Sequence, residues 1–242
     1  MQQIRAISFI NRAAERFQIL TGVSWKRSES YFPAVGETRG RPAGDEKILT
    51  DWNGLMIAAL GKASLLLDDP QYLHSAERAF EFITENMVAD NQRLTHSFAG
   101  GRRCFDAFLD DCAFLIRGSL GMYNATLNRE YLQFAIDLQR ELDMHFADQS
   151  DGGYFFTADY ADLQIARLKE SYDGAVPSGN SLELTNLISL WKLTGDSSYL
   201  EQASGIESAF SGSVASAVSA RVCRNGTCAL PVATVSELRD LL

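Results

Sequence analysis

The chain is short of basic residues, cysteine and histidine, and each shortage excludes something. Lys and Arg number 22 against 31 Asp and Glu, a net charge of −9. Nucleic-acid grooves and anionic membrane surfaces both reward basic patches, so neither partner is expected. No run approaches the roughly 20 apolar residues that span a bilayer. The opening MQQIRAISFINRAAERF interrupts its apolar residues with Arg5, Asn11, Arg12 and Glu15, so it carries no signal-peptide core. The 4 cysteines are too sparse for a disulfide scaffold, and cytoplasm is the expected location. Cys223 and Cys228, in VCRNGTC, have no second Cys/His pair to complete a tetrahedral site, so free thiols and no metal are expected. Of the 3 histidines, His74 and His145 fall on helical segments. Only His96, in a loop, stands near a candidate site. No cofactor is expected.

What remains is an ordinary globular composition, 46% hydrophobic and 22% charged, in 242 residues, enough to bury a core. Three segments share a plan: an apolar helix, a turn with Tyr-Leu, then an amphipathic helix. They are DWNGLMIAALGKASLLLDDPQYLHSAERAFEFITENM, DDCAFLIRGSLGMYNATLNREYLQFAIDLQRELDMHF and SGNSLELTNLISLWKLTGDSSYLEQASGIESAF. Tyr72, Tyr131 and Tyr199 mark equivalent turns at a period of roughly 60–70 residues, longer than common solenoid repeats. Leu55, Met56, Ile57, Leu60 and Leu65–Leu67 lie nearly all round their helix, which predicts an inner helix buried on both sides. Its partner spaces Leu73, Ala76, Phe80, Ile83 and Met87 along one stripe, which predicts one face in water. The expectation is an all-α fold of stacked antiparallel hairpins forming part of an (α/α)6 toroid, with an irregular bundle as the alternative. Residues 1–242 form a single helical domain, with an N-terminal helix and loop over 1–44 and a tail segment over 211–242. A short β-hairpin or extended excursion is expected at GGYFFTADYADLQIARLKESYDG, and another at RLTHSFAGGRRC.

Chemistry collects where the inner helices begin: Asp51-Trp52-Asn53, Asp110-Asp111 and Ser178-Gly179-Asn180-Ser181. Successive inner helices of stacked hairpins run parallel, so the three starts should share one rim. Capping of free backbone N–H groups accounts for Asp51 and for one of Ser178 or Asn180. It leaves the adjacent pair Asp110-Asp111 unexplained, as well as RPAGDEK and YDG in the feeding loops, which bring Arg41, Asp45, Glu46, Lys47, Tyr172 and Asp173. Carboxylates, cations and the aromatics Trp52 and Tyr172 together suit a cleft for a small polar molecule. Paired carboxylates divide acid and base roles when their surroundings separate their pKa values.

The motifs RPAGDEKILTDWNGLMIAAL, FLDDCAFLI, DGGYFFT and YDGAVPSGNS, with the closing VCRNGTCALPVAT, resemble a known family. It comprises the thioredoxin-domain-containing proteins related to spermatogenesis-associated protein 20, and the likeness runs from about Arg41 onward. The resemblance implies a toroid of the six-hairpin glycosidase and N-acylglucosamine 2-epimerase type, and supplies a fold more firmly than a reaction. This chain shows no thioredoxin-like region with Cys-x-x-Cys, and three hairpins where a closed toroid has six. SGSVASAVSA stands where the family has a longer stretch, so a truncated or internally deleted member is expected. Glu46 replaces the family's more frequent Asp, and Cys112 its frequent Tyr.

Two functions are compatible with these residues. In a carbohydrate-active enzyme, Asp111 would be the acid or base with Asp110 as its partner. Trp52 and Tyr172 would form an apolar platform. Asn53, Asp173, Ser178 and Asn180 would bind hydroxyls, with Arg41 and Lys47 in the same cleft. A sugar epimerase is disfavoured by the scarcity of rim histidines. The alternative is a non-catalytic module binding a metabolite or acting as a scaffold. An open half-ring would expose apolar flanks, so self-association is expected too.

Overall fold

The computed structural model describes residues 46–89, 91, 93–161, 166–217, 223–224 and 227–228. The expected helix and loop over 1–44 lie outside the described residues. The chain divides after Lys47, and Ile48–Leu242 forms one compact unit.

That unit starts with strand β1 (Ile48–Leu49) and the hairpin of α1 (Thr50–Leu67) and α2 (Pro70–Asn86). Strands β2 (Thr95–Ala99) and β3 (Arg102–Asp106) follow, then the hairpins α3 (Leu109–Thr126) with α4 (Arg129–His145) and α5 (Gly179–Thr194) with α6 (Ser198–Ala217). A two-residue ribbon, β4 (Cys223–Arg224) against β5 (Thr227–Cys228), comes last. The order β1-β2-β3 makes a small antiparallel sheet beside the helices. Of the two expected insertions, RLTHSFAGGRRC is the β2–β3 hairpin, turning at Gly100-Gly101. The described part of the second is an extended excursion held by isolated bridges, Ala147 to Tyr154 and Phe108 to Thr157. Helix α6 continues to Ala217, so the segment expected to be tail from 211 begins as helix.

Local chemistry sets the turns between hairpin arms. Asp69 and Asn128 cap α2 and α4 by accepting the N–H groups of Gln71 and Glu130. Asp68, Leu127 and Gly195 end α1, α3 and α5 in the left-handed conformation.

Helices α1 and α3 pack backbone to backbone. A Cβ at Gly54 would lie 2.5 Å from the Phe114 carbonyl carbon, and one at Gly118 would lie 2.8 Å from the Gly54 oxygen. Further along, Gly121 faces Ala58 and Gly61 faces Gly121. Residue numbers rise together across the contact, so the helices run parallel. Helix α5 runs the same way on the other side of α3: Gly179 meets Leu109, and the Asn186 amide donates to the Ala113 carbonyl at 2.8 Å.

Flanked on both sides, α3 buries Cys112 to Ile116, Leu120 and Met122. The expectation of burial all round fails for α1, whose Met56, Leu65, Leu66 and Leu67 are exposed. Among the described residues, α1 has an inner neighbour, α3, on one side only.

Candidate functional site

The parallel inner helices bring three helix starts to one rim, and Asp110-Asp111 sits at the middle one. Acidic side chains suit the first turn of a helix, where free N–H groups and the dipole favour negative charge. Asp111 is 1% exposed and accepts from three directions. The Phe108 N–H, at the cap of its own helix, is 2.8 Å from Oδ2. The Asp51 N–H of α1 is 3.1 Å from Oδ1. His96 Nδ1, carried by β2, lies 3.0 Å from each oxygen. Burial nonetheless pushes the Asp111 carboxyl up to about 6, against the lowering pull of His96 and the Phe108 N–H.

Asp110 is only half-buried and reaches the opposite neighbour. Burial pushes it too up to about 6, opposed by a hydrogen bond from the Gly179 N–H and reinforced by the charges of Asp111, Asp51 and Glu170. Gly179 opens α5 so close to this pair that a Cβ there would stand 2.5 Å from Leu109 Cγ and 2.6 Å from Asp110 Oδ1. Asp111 thus serves the start of α1, and Asp110 the start of α5.

Two aromatics of the segments that lead into these helix starts are exposed, Trp52 at 63% and Tyr172 at 85%. Phe105, absent from the sequence reading, is 75% exposed just before the chain enters α3. The His96 ring meets Phe108 edge-on at 5.1 Å, and Phe108 stacks on Phe156 at 4.9 Å.

The remaining expected residues separate. Asn180 is fully buried. Its oxygen accepts the Tyr154 N–H, and its nitrogen donates to the carbonyls of Tyr154 and Glu170, all at 2.9 Å. The expected hydroxyl contact is therefore corrected: Asn180 clamps the 154–170 excursion to α5, because a buried amide must satisfy itself internally. Ser178 is the cap of α5, its Oγ accepting from the Ser181 N–H at 3.2 Å. Asp173 is exposed, yet its carboxylate accepts the Ser178 N–H at 2.9 Å and so shapes the loop. Asn53 donates to the Leu49 carbonyl at 2.6 Å. Asp51 is no side-chain cap for α1: the cap position is Leu49, and Asp51 Oδ1 accepts from Trp52 N–H at 2.6 Å. Lys47 is exposed, and Arg41 lies outside the described residues.

His96 joins the site through a signal that was present, a histidine in a strand-forming stretch shortly before the acidic pair. One ligand atom from each of Asp51, His96 and Asp111 lies within 4.8 Å of the others. That spacing suits a cation, although the Phe108 and Asp51 N–H groups and the His96 ring already engage the oxygens of Asp111.

Human spermatogenesis-associated protein 20 is 31% identical over 183 residues, 72% of this chain and 23% of that protein. An uncharacterized protein of Caenorhabditis elegans is 34% identical over 173 residues, 68% of this chain and 23% of its own length. The chain is a homologue of part of spermatogenesis-associated protein 20. It spans about a quarter of the length of these relatives, and no family model matches it.

Among solved structures, the GH76 α-mannanase of Bacteroides thetaiotaomicron superposes with a TM-score of 0.58 at 21% identity, covering 71% of this chain and 47% of that one. Cellobiose 2-epimerase of Spirochaeta thermophila gives 0.57 at 17% identity, covering 70% and 44%. A GH76 α-1,6-mannanase of Salegentibacter gives 0.56 at 16% identity, covering 76% and 55%. It is an inactive variant with two consecutive aspartates replaced by alanine, in complex with an α-1,6-linked mannotetraose. At these identities the likeness is one of fold: the stacked hairpins form part of an (α/α)6 toroid of the six-hairpin glycosidase type. Among the described residues, no helix is long and apolar enough to cross a membrane.

Proposed function

We propose that the rim is a glycoside-processing site in which Asp110 is the general acid. The observation that carries this reading is Asp110 itself, half-exposed at the converged helix starts and with its carboxyl pushed up to about 6. Near neutral pH it keeps a share of its proton and is reachable from solvent. It can donate that proton to the leaving oxygen as the anomeric carbon–oxygen bond breaks. Asp51, on the neighbouring start, would take a proton from the attacking water. Asp111 becomes a positioning residue: its buried oxygens hold the α1 start and the His96 ring in place. Trp52 and Tyr172 offer apolar faces to sugar rings. A toroid neighbour described as inactive carries alanine in place of two consecutive aspartates, and the consecutive aspartates at this rim are in keeping with the reading.

A second reading, a sugar-binding module without turnover, is favoured by one fact. The chain matches about half of its toroid neighbours, 47% of the α-mannanase, so part of a catalytic wall lies outside the match.

Incubation with α-1,6-linked mannotetraose, followed by chromatography of products, tests both. Hydrolysis that falls about 10²–10⁴-fold in D110N supports the acid. Binding without product supports the module. Neither binding nor product overturns both.

A further inference from the structure

Phe105 combines two costly features. Its φ is +62°, in the left-handed region that bulky side chains avoid. Its ring is also 75% exposed, so the strained backbone gains no burial in return. The positive φ costs stability and the exposed ring returns none of it, and such outliers cluster at functional sites.

Its position is set by the sheet. Thr95 pairs with Asp106 and Ser97 with Cys104, which brackets His96 opposite Phe105 in the β2–β3 register. His96 is the residue whose ring contacts Asp111. Two residues after Phe105, the Ala107 N–H is tied to the Leu94 carbonyl at 3.2 Å, and the chain then enters α3 with Asp110 at its second position. Phe105 therefore stands opposite the histidine that contacts Asp111, on a short, pinned segment.

We propose that Phe105 is a sugar-stacking platform for an oligosaccharide bound at the Asp110 rim, its ring lying against the C–H face of a pyranose unit. The proposal rests on the glycoside-processing reading and adds a subsite to it. The ligand class follows from the chemistry. An aromatic face takes an apolar, flat partner, and the neighbouring carboxylates demand one that also carries hydroxyls. A pyranose ring offers both.

Mannotetraose is titrated calorimetrically into wild type, F105A, F105W and F105G, with product formation followed in parallel. F105A is expected to weaken binding about tenfold, or to raise KM by that factor at unchanged kcat, while F105W stays close to wild type. F105G should lose binding likewise and melt at or above the wild-type temperature, because glycine accepts the φ without strain. If wild type binds the tetraose and F105A binds it equally well, Phe105 is no platform and the glycoside reading stands. If F105G melts well below wild type, Phe105 is structural and the proposal falls. If wild type neither binds nor cleaves the sugar, both fall together.

Discussion

Asp111 Oδ1 accepts the backbone N–H of Asp51 across 3.1 Å, sixty residues away in the chain. Through the same carboxylate it also accepts the Phe108 N–H of its own helix. One buried side chain therefore terminates two parallel helices and fixes their relative height. In D111N the amide replaces one acceptor oxygen with a donor, which must face one of these N–H groups or the His96 ring. We expect a loss of about 2–4 kcal/mol in urea unfolding, from desolvated donors left unpaired. Activity should fall with it, as the Asp51 start shifts.

Glu183, one turn into α5, is fully buried and held by the Asn186 amide at 3.0 Å. Burial first, then the charge of Asp143, pushes its carboxyl up to about 8, against hydrogen bonds from Asn186 and Gln139. Cys112 of α3 and Tyr154 also feel its charge. Among the described residues, Glu183 Oε1, Gln139 Oε1 and Asn186 Oδ1 have no donor, and a protonated Glu183 supplies one. The folded pKa lies above the unfolded value of 4.5, so this contribution is complete below pH 4.5 and is lost as pH rises through about 8. Melting temperature should fall across that window in wild type. In E183Q the fall above about pH 6, where Asp110 and Asp111 have already ionised, should be much shallower, a comparison made by calorimetry from pH 5 to 9.

Gly54 and Gly118 let α1 and α3 touch through their backbones. G54A would place a methyl 2.5 Å from the Phe114 carbonyl carbon, which no side-chain rotation relieves. Separating the helices would also stretch the Asp51–Asp111 bond. A destabilisation of about 3 kcal/mol is expected, above the intrinsic gain of alanine over glycine in a helix, measured by denaturant midpoint.

The loop from Tyr172 to Asn180 should divide by mutation. N180A removes three hydrogen bonds, two of them buried, and should cost about 3 kcal/mol, more than S178A, which removes one cap worth about 0.5–2 kcal/mol. A Tyr172 variant should leave the melting temperature unchanged, its ring being 85% exposed, and weaken oligosaccharide binding.

The hairpins are legible in the sequence because helical periodicity is a local signal. Leu73, Ala76, Phe80 and Ile83 announce the buried stripe of α2, and three of those four are indeed in the core. The acidic pair was legible too, because two adjacent aspartates exceed what one helix cap needs. Its division of labour was not. Nothing near residue 111 indicates that Asp111 would meet Asp51 and His96 and be sealed from water, while Asp110, one position earlier, would keep an open side. On a helix, neighbouring side chains point about 100° apart, so which one faces a second helix depends on where that helix lies. The same holds for Asn180. Its amide suits a sugar hydroxyl and a backbone carbonyl equally well, and the excursion carrying Tyr154 and Glu170 claims it first. Residue type along the chain sets what each group can bond. The packing of α1, α3 and α5 assigns the partners, because those partners come from segments tens of residues apart.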